Sequence, residues 1–240
     1  EALEQGFTVP SIYLDILTPT QVRIGEMWFE GDLNIAQEHL ATSITLAIME
    51  KLRGGDDNTD KLGVRAIVTS VEGDQHQVGA RMMADFLLAD GWDVDFLSSP
   101  TPAEDLIEFV QARGGDIVAL SSTLIGSLSK VKYIADTLHK MDSSLKVLLG
   151  GRSLHLTGYE ARSLGCDAIA EDAFDGVTKA RQLLGLAKKR LLLADHLLAI
   201  GLKMKAVRSK LQMTQQELAN LSGLDRAYIS MVEHGKQNLT

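Results

Sequence analysis

The chain has 240 residues, of which 45% are hydrophobic and 23% charged, and its formal net charge is −8. This composition is ordinary for a globular soluble protein. Because no run of about 18 apolar residues and no signal-like segment occurs, we expect no membrane span. The one cysteine, Cys166, excludes an internal disulfide and fits a cytoplasmic location.

The charge is unevenly distributed along the chain. Residues 201–240 contain six Lys/Arg and three Asp/Glu, a net charge of +3, so the remainder carries −11. The pattern predicts an acidic body whose basic C-terminal piece alone approaches a polyanion. Charge by itself is equally compatible with chance clustering.

Residues 1–53 have the periodicity of helices. Apolar residues precede a predicted break at Thr18-Pro19-Thr20, and a second apolar run ends at Gly31-Asp32. A third helix is predicted from about Leu33 to Leu52, since its apolar positions recur every four or five residues. The polar, turn-rich stretch 54–60 predicts a linker.

From residue 64 onward, short β-branched runs alternate with helical patterns. Strands are predicted at 64–69, 93–97, 117–120, 146–149 and 167–169, with helices at about 77–89, 102–112, 128–141, 158–164 and 173–185. This alternation predicts a parallel sheet in a flavodoxin-like, doubly wound domain. A further helix over residues 186–200 is predicted to lead into the basic tail.

The loop after the first predicted strand contains Asp74, His76 and Gly79. Ligands of doubly wound sheets bind at the carboxyl ends of the strands. A neutral imidazole is a good transition-metal ligand, and a nearby carboxylate can fix its other ring nitrogen. Glycine would let the chain pass close to a bulky macrocycle. Alone, the Asp-x-His pattern is also compatible with a solvated loop histidine.

Two later loops complete a more specific pattern. Asp74-x-His76-x-x-Gly79, Ser122-x-Leu124 and Gly150-Gly151 follow predicted strands in this order. Together they resemble the cobalamin-binding domain of methionine synthase and its relatives, over about residues 61–187. The resemblance implies that His76 replaces the cofactor's own dimethylbenzimidazole as the lower cobalt ligand. It also implies a slot for the displaced nucleotide tail, with Ser122 bonding the tail base, Leu124 lining the slot and Gly150-Gly151 leaving room.

The helical segment contains Trp28 and, after nine residues, Glu38-His39. This resembles a motif of the CarH/LitR light-sensing regulators, in which a helical bundle caps the upper face of adenosylcobalamin. The resemblance implies that Trp28 packs on the adenosyl group, that Glu38 bonds its ribose and that His39 lies nearby. Adenosylcobalamin is therefore the expected cofactor, with methylcobalamin and hydroxocobalamin as alternatives.

One position departs from the light-sensing members of that family. They have a histidine after this tryptophan, and it binds cobalt once light breaks the cobalt–carbon bond. Here the position is Phe29, which cannot coordinate a metal. The alternatives for the upper position are His39, water or another ligand.

The basic tail has the signals of two short helices. Thr214 and Glu217 form a predicted capping box, Gly223 suits a tight turn, and Asp225 can cap a second helix. The segment strongly resembles the Cro/C1 (XRE) helix-turn-helix family. The resemblance implies that a helix from Arg226 to about Glu233 enters the major groove. The family continues with two further helices, so the segment is expected to be truncated. The implied DNA contacts are Gln215, Arg226, Ala227, Tyr228 and Ser230.

The expected fold class is α/β. It comprises a helical-bundle cap (1–60), a flavodoxin-like five-stranded cobalamin-binding domain (61–187), a helical linker (188–201) and an all-α helix-turn-helix (202–240). The expected function is a cobalamin-dependent, light-responsive transcriptional regulator, without enzymatic activity, that binds DNA and forms dimers or tetramers. One alternative is a corrinoid methyl carrier, which needs no DNA-reading tail. Another is a haem protein, which would leave the slot motifs without a purpose.

Overall fold

The computed structural model describes residues 2–3, 7–53, 60–154, 160–186 and 193–234. Contacts divide the chain into two compact units. The larger unit, residues 13–187, holds the cap helices and the sheet, and the smaller unit combines residues 1–12 with 188–240. Within the described ranges, no helix is both long and apolar enough to cross a membrane.

The first helix, α1 (Val9–Ile12), belongs to the smaller unit. The larger unit begins with a π-helical turn, Tyr13–Leu17, that continues directly into α2 (Thr18–Glu30). The predicted break at Thr18-Pro19-Thr20 is therefore wrong. Proline lies in the first turn of the α-helical segment, directly after the π-helical turn, and the helix runs through it.

Glycine and asparagine set the corner between the two cap helices. Gly31 ends α2 in the left-handed conformation, with φ +87°, which confirms the predicted helix end. Asn34 then begins α3 (Ile35–Leu52) through a capping box with Gln37. The predicted linker is residues 54–60, of which residues 54–59 lie outside the described residues.

Five parallel strands form one sheet in the order β2-β1-β3-β4-β5. The strands are β1 (Arg65–Ser70), β2 (Asp93–Leu97), β3 (Ile117–Ser121), β4 (Lys146–Gly150) and β5 (Ala168–Ile169). The helices between and after them are α4 (Val78–Ala89), α5 (Ala103–Arg113), α6 (Leu128–Met141) and α7 (Ala173–Leu183). This flavodoxin-like order confirms the predicted α/β fold. The helix predicted at 158–164 is a 3-10 turn at Ala161–Leu164, and residues 155–159 are not described.

Helices cover both faces of the sheet, because side chains alternate between the faces along each strand. On one face, Ile67, Val118 and Leu149 join an apolar cluster with residues of α5 and α6. On the other face, Val68 and Ala119 join a second cluster with α4 and α7. The second cluster is the one that reaches the site described below.

The cap helices are fixed to α4 by a buried polar network. The Tyr13 hydroxyl donates to Asp85 Oδ2 at 2.8 Å, and its ring stacks on Phe86 with centroids 5.6 Å apart. Burial raises the pKa of Tyr13, so this phenol stays protonated as a donor. Arg81 pairs with both Asp85 and Glu50 of α3. These contacts place α2 and α3 over the start of α4.

In its described residues, the smaller unit has three further helices: α8 (Leu193–Lys210), α9 (Gln215–Ser222) and α10 (Arg226–Glu233). The Thr214–Glu217 capping box is present, as predicted. Gly223 ends α9 with φ +68°, and Asp225 Oδ1 accepts a hydrogen bond from Tyr228 N at 2.7 Å. The predicted turn between two capped helices is therefore confirmed.

Candidate functional site

A cavity of about 1330 Å³ lies in the larger unit, beside the carboxyl ends of the strands. Helices α2 and α3 contribute to its lining, together with the loops after β1, β3 and β4. Pockets for drug-sized ligands have volumes of roughly 300–1,000 Å³. The cavity therefore suits a larger ligand.

His76 lines the cavity with one ring nitrogen already engaged. Its Nδ1 lies 2.7 Å from Asp74 Oδ1, and its backbone N–H donates to the same oxygen at 3.1 Å. The hydrogen bond to Asp74 raises the pKa of His76, against the opposing effect of burial. Among the described residues, Nε2 has no hydrogen-bond partner, so it is available to a ligand in the cavity.

Asp74 connects two loops of the site. Its side chain is fully buried, and Oδ2 accepts hydrogen bonds from the backbone N–H groups of Thr123 and Leu124. Burial alone would raise the pKa of Asp74, but the hydrogen bonds from His76, Thr123 and Leu124 outweigh it and the pKa is lowered. The carboxylate thus stays charged. Its contact with the loop after β3 was not predicted from the sequence, because it joins residues about 50 positions apart.

Two consecutive serines, Ser121 at the end of β3 and Ser122 directly after it, are placed differently. Ser122 is fully buried, and its hydroxyl lies 2.7 Å from Ser127 Oγ and 3.0 Å from Ser153 Oγ. It does not line the cavity, whereas Ser121 and Leu124 do. No hydrogen bond of the Ser121 hydroxyl is found among the described residues. Because strand side chains alternate, the hydroxyl next to the cavity is the one at residue 121, and the role predicted for Ser122 stays a prediction.

The three glycines of the cobalamin-binding pattern either permit a close backbone approach or leave space in the cavity. Gly151 has φ +116°, and a Cβ there would lie 2.1 Å from the Ser122 carbonyl oxygen, so only glycine permits this approach. Gly79 and Gly150 line the cavity without such a conflict. A Cβ at Gly79 would lie 3.4 Å from Ser121 Oγ, in ordinary contact. At these two positions the missing side chains leave space for a ligand.

The cavity also reaches a row of buried residues on the sheet. Val68 pairs in register with Ala119, and Ala119 with Leu148, so the three lie side by side on β1, β3 and β4. All three line the cavity. The next row toward the strand ends on the same face contains Ser121 and Gly150. We call the space over these two rows the slot. The inner row was not identified from the sequence as part of the site, because its apolar residues are typical of any strand core.

The predicted cap residues lie on the same cavity. Trp28, Glu38 and His39 all line it, and Trp28 is 47% exposed. Glu38 Oε1 accepts a hydrogen bond from Thr42 at 3.0 Å, and His39 Nε2 lies 3.7 Å from Glu38 Oε2. The charge of Glu38 contributes to the raised pKa of His76, although less than the hydrogen bond and the charge of Asp74. Phe29 is 86% exposed and is not part of the lining.

The ligand chemistry of the site fits a metal held by a macrocycle. In the described part of the chain, no group of three or more His, Cys, Asp or Glu residues could hold a bare ion. Structural and catalytic zinc sites need three or four protein ligands. One oriented imidazole suits a metal whose remaining positions are filled by a tetrapyrrole-like ring. The large cavity beside His76 has room for such a ring.

The predicted DNA contacts divide into exposed and engaged residues. Arg226 and Ala227 at the start of α10 are exposed, and Tyr228 and Ser230 are half-buried. Gln215 instead donates from Nε2 to Glu233 Oε2 at 2.8 Å, inside the unit. Arg226 and Ala227 are thus accessible to solvent at the start of α10, while Gln215 makes a contact within the unit.

Comparison with known families matches three parts of the chain. Residues 64–178 match a B12 binding domain, and residues 1–53 match a second B12 binding domain family. Residues 204–240 match a helix-turn-helix family. These matches support a cobalamin-binding protein with a C-terminal helix-turn-helix. The cofactor they support is a cobalamin or another corrinoid.

Related proteins align with about two thirds to three quarters of the chain. A corrinoid protein of Desulfitobacterium hafniense is 29% identical over 169 residues, which is 68% of this chain and 77% of the relative. Dimethylamine corrinoid protein 2 of Methanosarcina acetivorans is 26% identical over 167 residues, 68% of this chain and 76% of the relative. The structure of the Methanosarcina barkeri monomethylamine corrinoid protein shares the fold, with a TM-score of 0.66 and 22% identity, over 76% of this chain and 87% of that chain.

Proposed function

We propose that this chain is a cobalamin-dependent transcriptional regulator, in which the state of the cofactor controls DNA binding or oligomerisation. The observation that carries the proposal is the free Nε2 of His76, which lines a macrocycle-sized cavity in a chain that also has a helix-turn-helix. The proposed role is binding and regulation, without catalysis. Such a regulator acts in the cytoplasm, where its operator lies.

On the lower face, His76 would hold cobalt through Nε2 while Asp74 orients the ring. The benzimidazole of the cofactor would then be displaced into the slot. Among the described residues that face the slot, Ser121 has a hydroxyl without a hydrogen-bond partner, and this makes Ser121 the better-placed partner for the tail base than Ser122. Gly79, Leu124, Gly150 and Gly151 would shape the cavity around the tail.

On the upper face, Trp28, Glu38 and His39 would contact an adenosyl group. An aromatic ring and a carboxylate suit a base that carries a ribose with two hydroxyl groups. Adenosylcobalamin supplies a light-sensitive cobalt–carbon bond, so we propose a light response. Phe29 does not line the cavity and cannot ligate cobalt, which leaves His39 as the histidine of the cap that lines it.

The output would be DNA binding through α10, with Arg226, Ala227 and Tyr228 toward the major groove. Helix-turn-helix proteins commonly bind paired half-sites as dimers. We therefore propose a homodimer or homotetramer whose population depends on the cofactor.

The proposal is tested by reconstituting the protein with adenosylcobalamin in the dark and measuring its absorption spectrum and elution volume before and after green light. We expect the absorption spectrum and the elution volume to change on illumination. For the His76→Ala variant we expect neither the spectrum of histidine-ligated cobalt nor the light-induced change in elution volume. If wild type binds the cofactor and neither quantity responds to light, the light-sensing role is contradicted. If no spectrum of a bound corrinoid appears, cobalamin binding itself is contradicted.

The names of the related proteins favour a second candidate, a corrinoid methyl carrier. The alignments that support it cover 68% of the chain, and the helix-turn-helix at 204–240 has no role in such a carrier. A methyl-transfer assay with reduced corrinoid and a methylamine-type donor system separates the two candidates. Catalytic transfer would favour the carrier, and its absence together with cofactor-dependent DNA binding would favour the regulator.

A further inference from the structure

We infer that the site selects corrinoids whose tail base is a benzimidazole and rejects those that carry adenine. The inference rests on the proposed binding mode, in which His76 displaces the base into the slot. It concerns which natural corrinoid the protein takes, since corrinoids differ mainly in this base. The inner slot walls and the Ser121 hydroxyl carry it.

The depth and walls of the slot follow from strand register. The row of Val68, Ala119 and Leu148 lies two residues below the last residues of β1, β3 and β4, about 7 Å at 3.3 Å per residue. Opposite this row, Met83 of α4 and Ala170 also line the cavity. Every one of these side chains is buried and apolar.

The polar groups that the slot offers to a ligand are few. The backbone groups of the three central strands are already paired with neighbouring strands. At the level of the upper row, Ser121 faces the slot beside Gly79, and no partner for its hydroxyl is found in the described part of the chain. Within the described ranges, the side chains facing the slot thus present one available hydrogen-bond donor, the Ser121 hydroxyl, above an apolar floor.

One hydroxyl donor and apolar walls match the hydrogen-bonding groups of a displaced benzimidazole. Once released from cobalt, the base has a single free ring nitrogen, which can accept from the Ser121 hydroxyl, and its remaining edge is apolar. Adenine has an exocyclic amine and further ring nitrogens, and most of them would be buried without partners. A single such group left without a partner corresponds to a discrimination of about tenfold to hundredfold.

The test is a set of absorption titrations with four corrinoids: cobalamin, the adenine cobamide, a phenolyl cobamide and cobinamide, which lacks the tail. For wild type we expect cobalamin to bind at least about tenfold more tightly than the adenine cobamide. Equal affinity for these two overturns the inference. If none of the four binds, cobalamin binding itself fails, so the two failures are distinguishable.

Variants assign the discrimination to the slot. Ser121→Ala should weaken cobalamin binding about three- to tenfold and leave the phenolyl cobamide unchanged, because a phenolyl base has no ring nitrogen. Ser129→Ala, at an exposed serine on α6, is the matched control and should change neither. Equal weakening of all four ligands by Ser121→Ala would contradict the predicted hydrogen bond.

A larger side chain in the slot tests independently whether the tail base binds there. Ala119→Leu would place a branched side chain in the middle of the inner row. Cobalamin affinity should then fall to that of cobinamide, while cobinamide binding stays within about twofold of wild type. Loss of cobinamide binding as well would show that the variant has lost its fold, and Ala119→Val then replaces it in the same comparison. Unchanged cobalamin binding in both variants would place the tail elsewhere and overturn the inference.

Discussion

A single carboxylate, Asp74, organises the lower face of the cavity. One of its oxygens orients the His76 ring, and the other accepts two backbone N–H groups of the loop after β3. Buried charges are stable only when they are hydrogen-bonded, and these contacts meet that need. The position of the imidazole and the conformation of a second loop therefore depend on one residue.

Asp74→Asn should weaken corrinoid binding about 10- to 100-fold, the usual cost of losing an orienting partner of a metal-binding histidine. The amide has one acceptor oxygen instead of two, so it cannot serve both loops. Absorption titration measures the change, and a thermal melt checks that the variant is folded. Asp105→Asn, at an exposed aspartate on α5, is the matched control. Wild-type affinity in a folded Asp74→Asn protein would contradict the assigned role.

At the scale of elements, α10 is held in the smaller unit by a buried ion pair. Glu233 is fully buried, and it accepts hydrogen bonds from Arg208 Nε at 2.6 Å and Nη2 at 3.0 Å. Gln215 of α9 donates to the same carboxylate. Helices α8 and α10 approach closely at Gly201, where a Cβ would lie 2.1 Å from the Val232 carbonyl oxygen. The helix that carries Arg226 is thus positioned by contacts at its opposite end.

This ion pair predicts a pH-dependent helix-turn-helix. Burial alone would raise the pKa of Glu233, but the hydrogen bonds from Arg208 and Gln215 outweigh it, and the pKa is lowered. A carboxyl group with a lowered folded-state pKa contributes its full stabilisation above its unfolded pKa of about 4.3. That contribution is lost as the pH falls through the folded value. As the pH is lowered below about 4.3, we expect the NMR chemical shifts of the α10 amides to move away from their values at neutral pH.

The Glu233→Gln variant should destabilise the helix-turn-helix already at neutral pH, by about 2–3 kcal/mol, because Arg208 then lacks its charged partner. Amide exchange of α10 in the full chain measures the loss. Glu108→Gln, at an exposed glutamate on α5, should have no effect. Unchanged α10 protection in Glu233→Gln would show that the ion pair is not needed.

At the scale of the whole molecule, the two proposed functions belong to separate units. The cavity and every residue that lines it lie within residues 13–187, and α8, α9 and α10 lie within residues 188–240. Each function can therefore be removed by itself. A regulator must in addition couple corrinoid binding to DNA binding. A ligand achieves this only if it binds two states of the protein with different affinities.

Two single variants test that link. Arg226→Ala should weaken DNA binding by about 1–3 kcal/mol and leave the corrinoid affinity unchanged. His76→Ala should abolish the effect of the corrinoid on DNA affinity and leave cofactor-free DNA binding intact. Electrophoretic mobility shifts on genomic fragments selected by the wild-type protein provide the measurement. If corrinoid changes DNA binding equally in wild type and His76→Ala, the coupling does not pass through cobalt ligation.

Much of the fold was predictable from local pattern. Strand–helix alternation predicted the sheet, and the capping signals at Thr214, Gly223 and Asp225 predicted the helix-turn-helix, because caps and turns depend on neighbouring residues. The break at Thr18-Pro19-Thr20 was wrong, since the effect of a proline depends on its position within a helix.

For the site, the sequence by itself determined the residue types: one imidazole with a nearby carboxylate, glycines after the strands, and an aromatic residue and an acid in the cap. Only the tertiary structure decided which of these share a cavity. The pleat turns Ser121 rather than Ser122 toward the cavity, and strand register brings Val68, Ala119 and Leu148 into one row. Such contacts join residues 29–51 positions apart along the chain, and the chain brings them together only when the sheet forms.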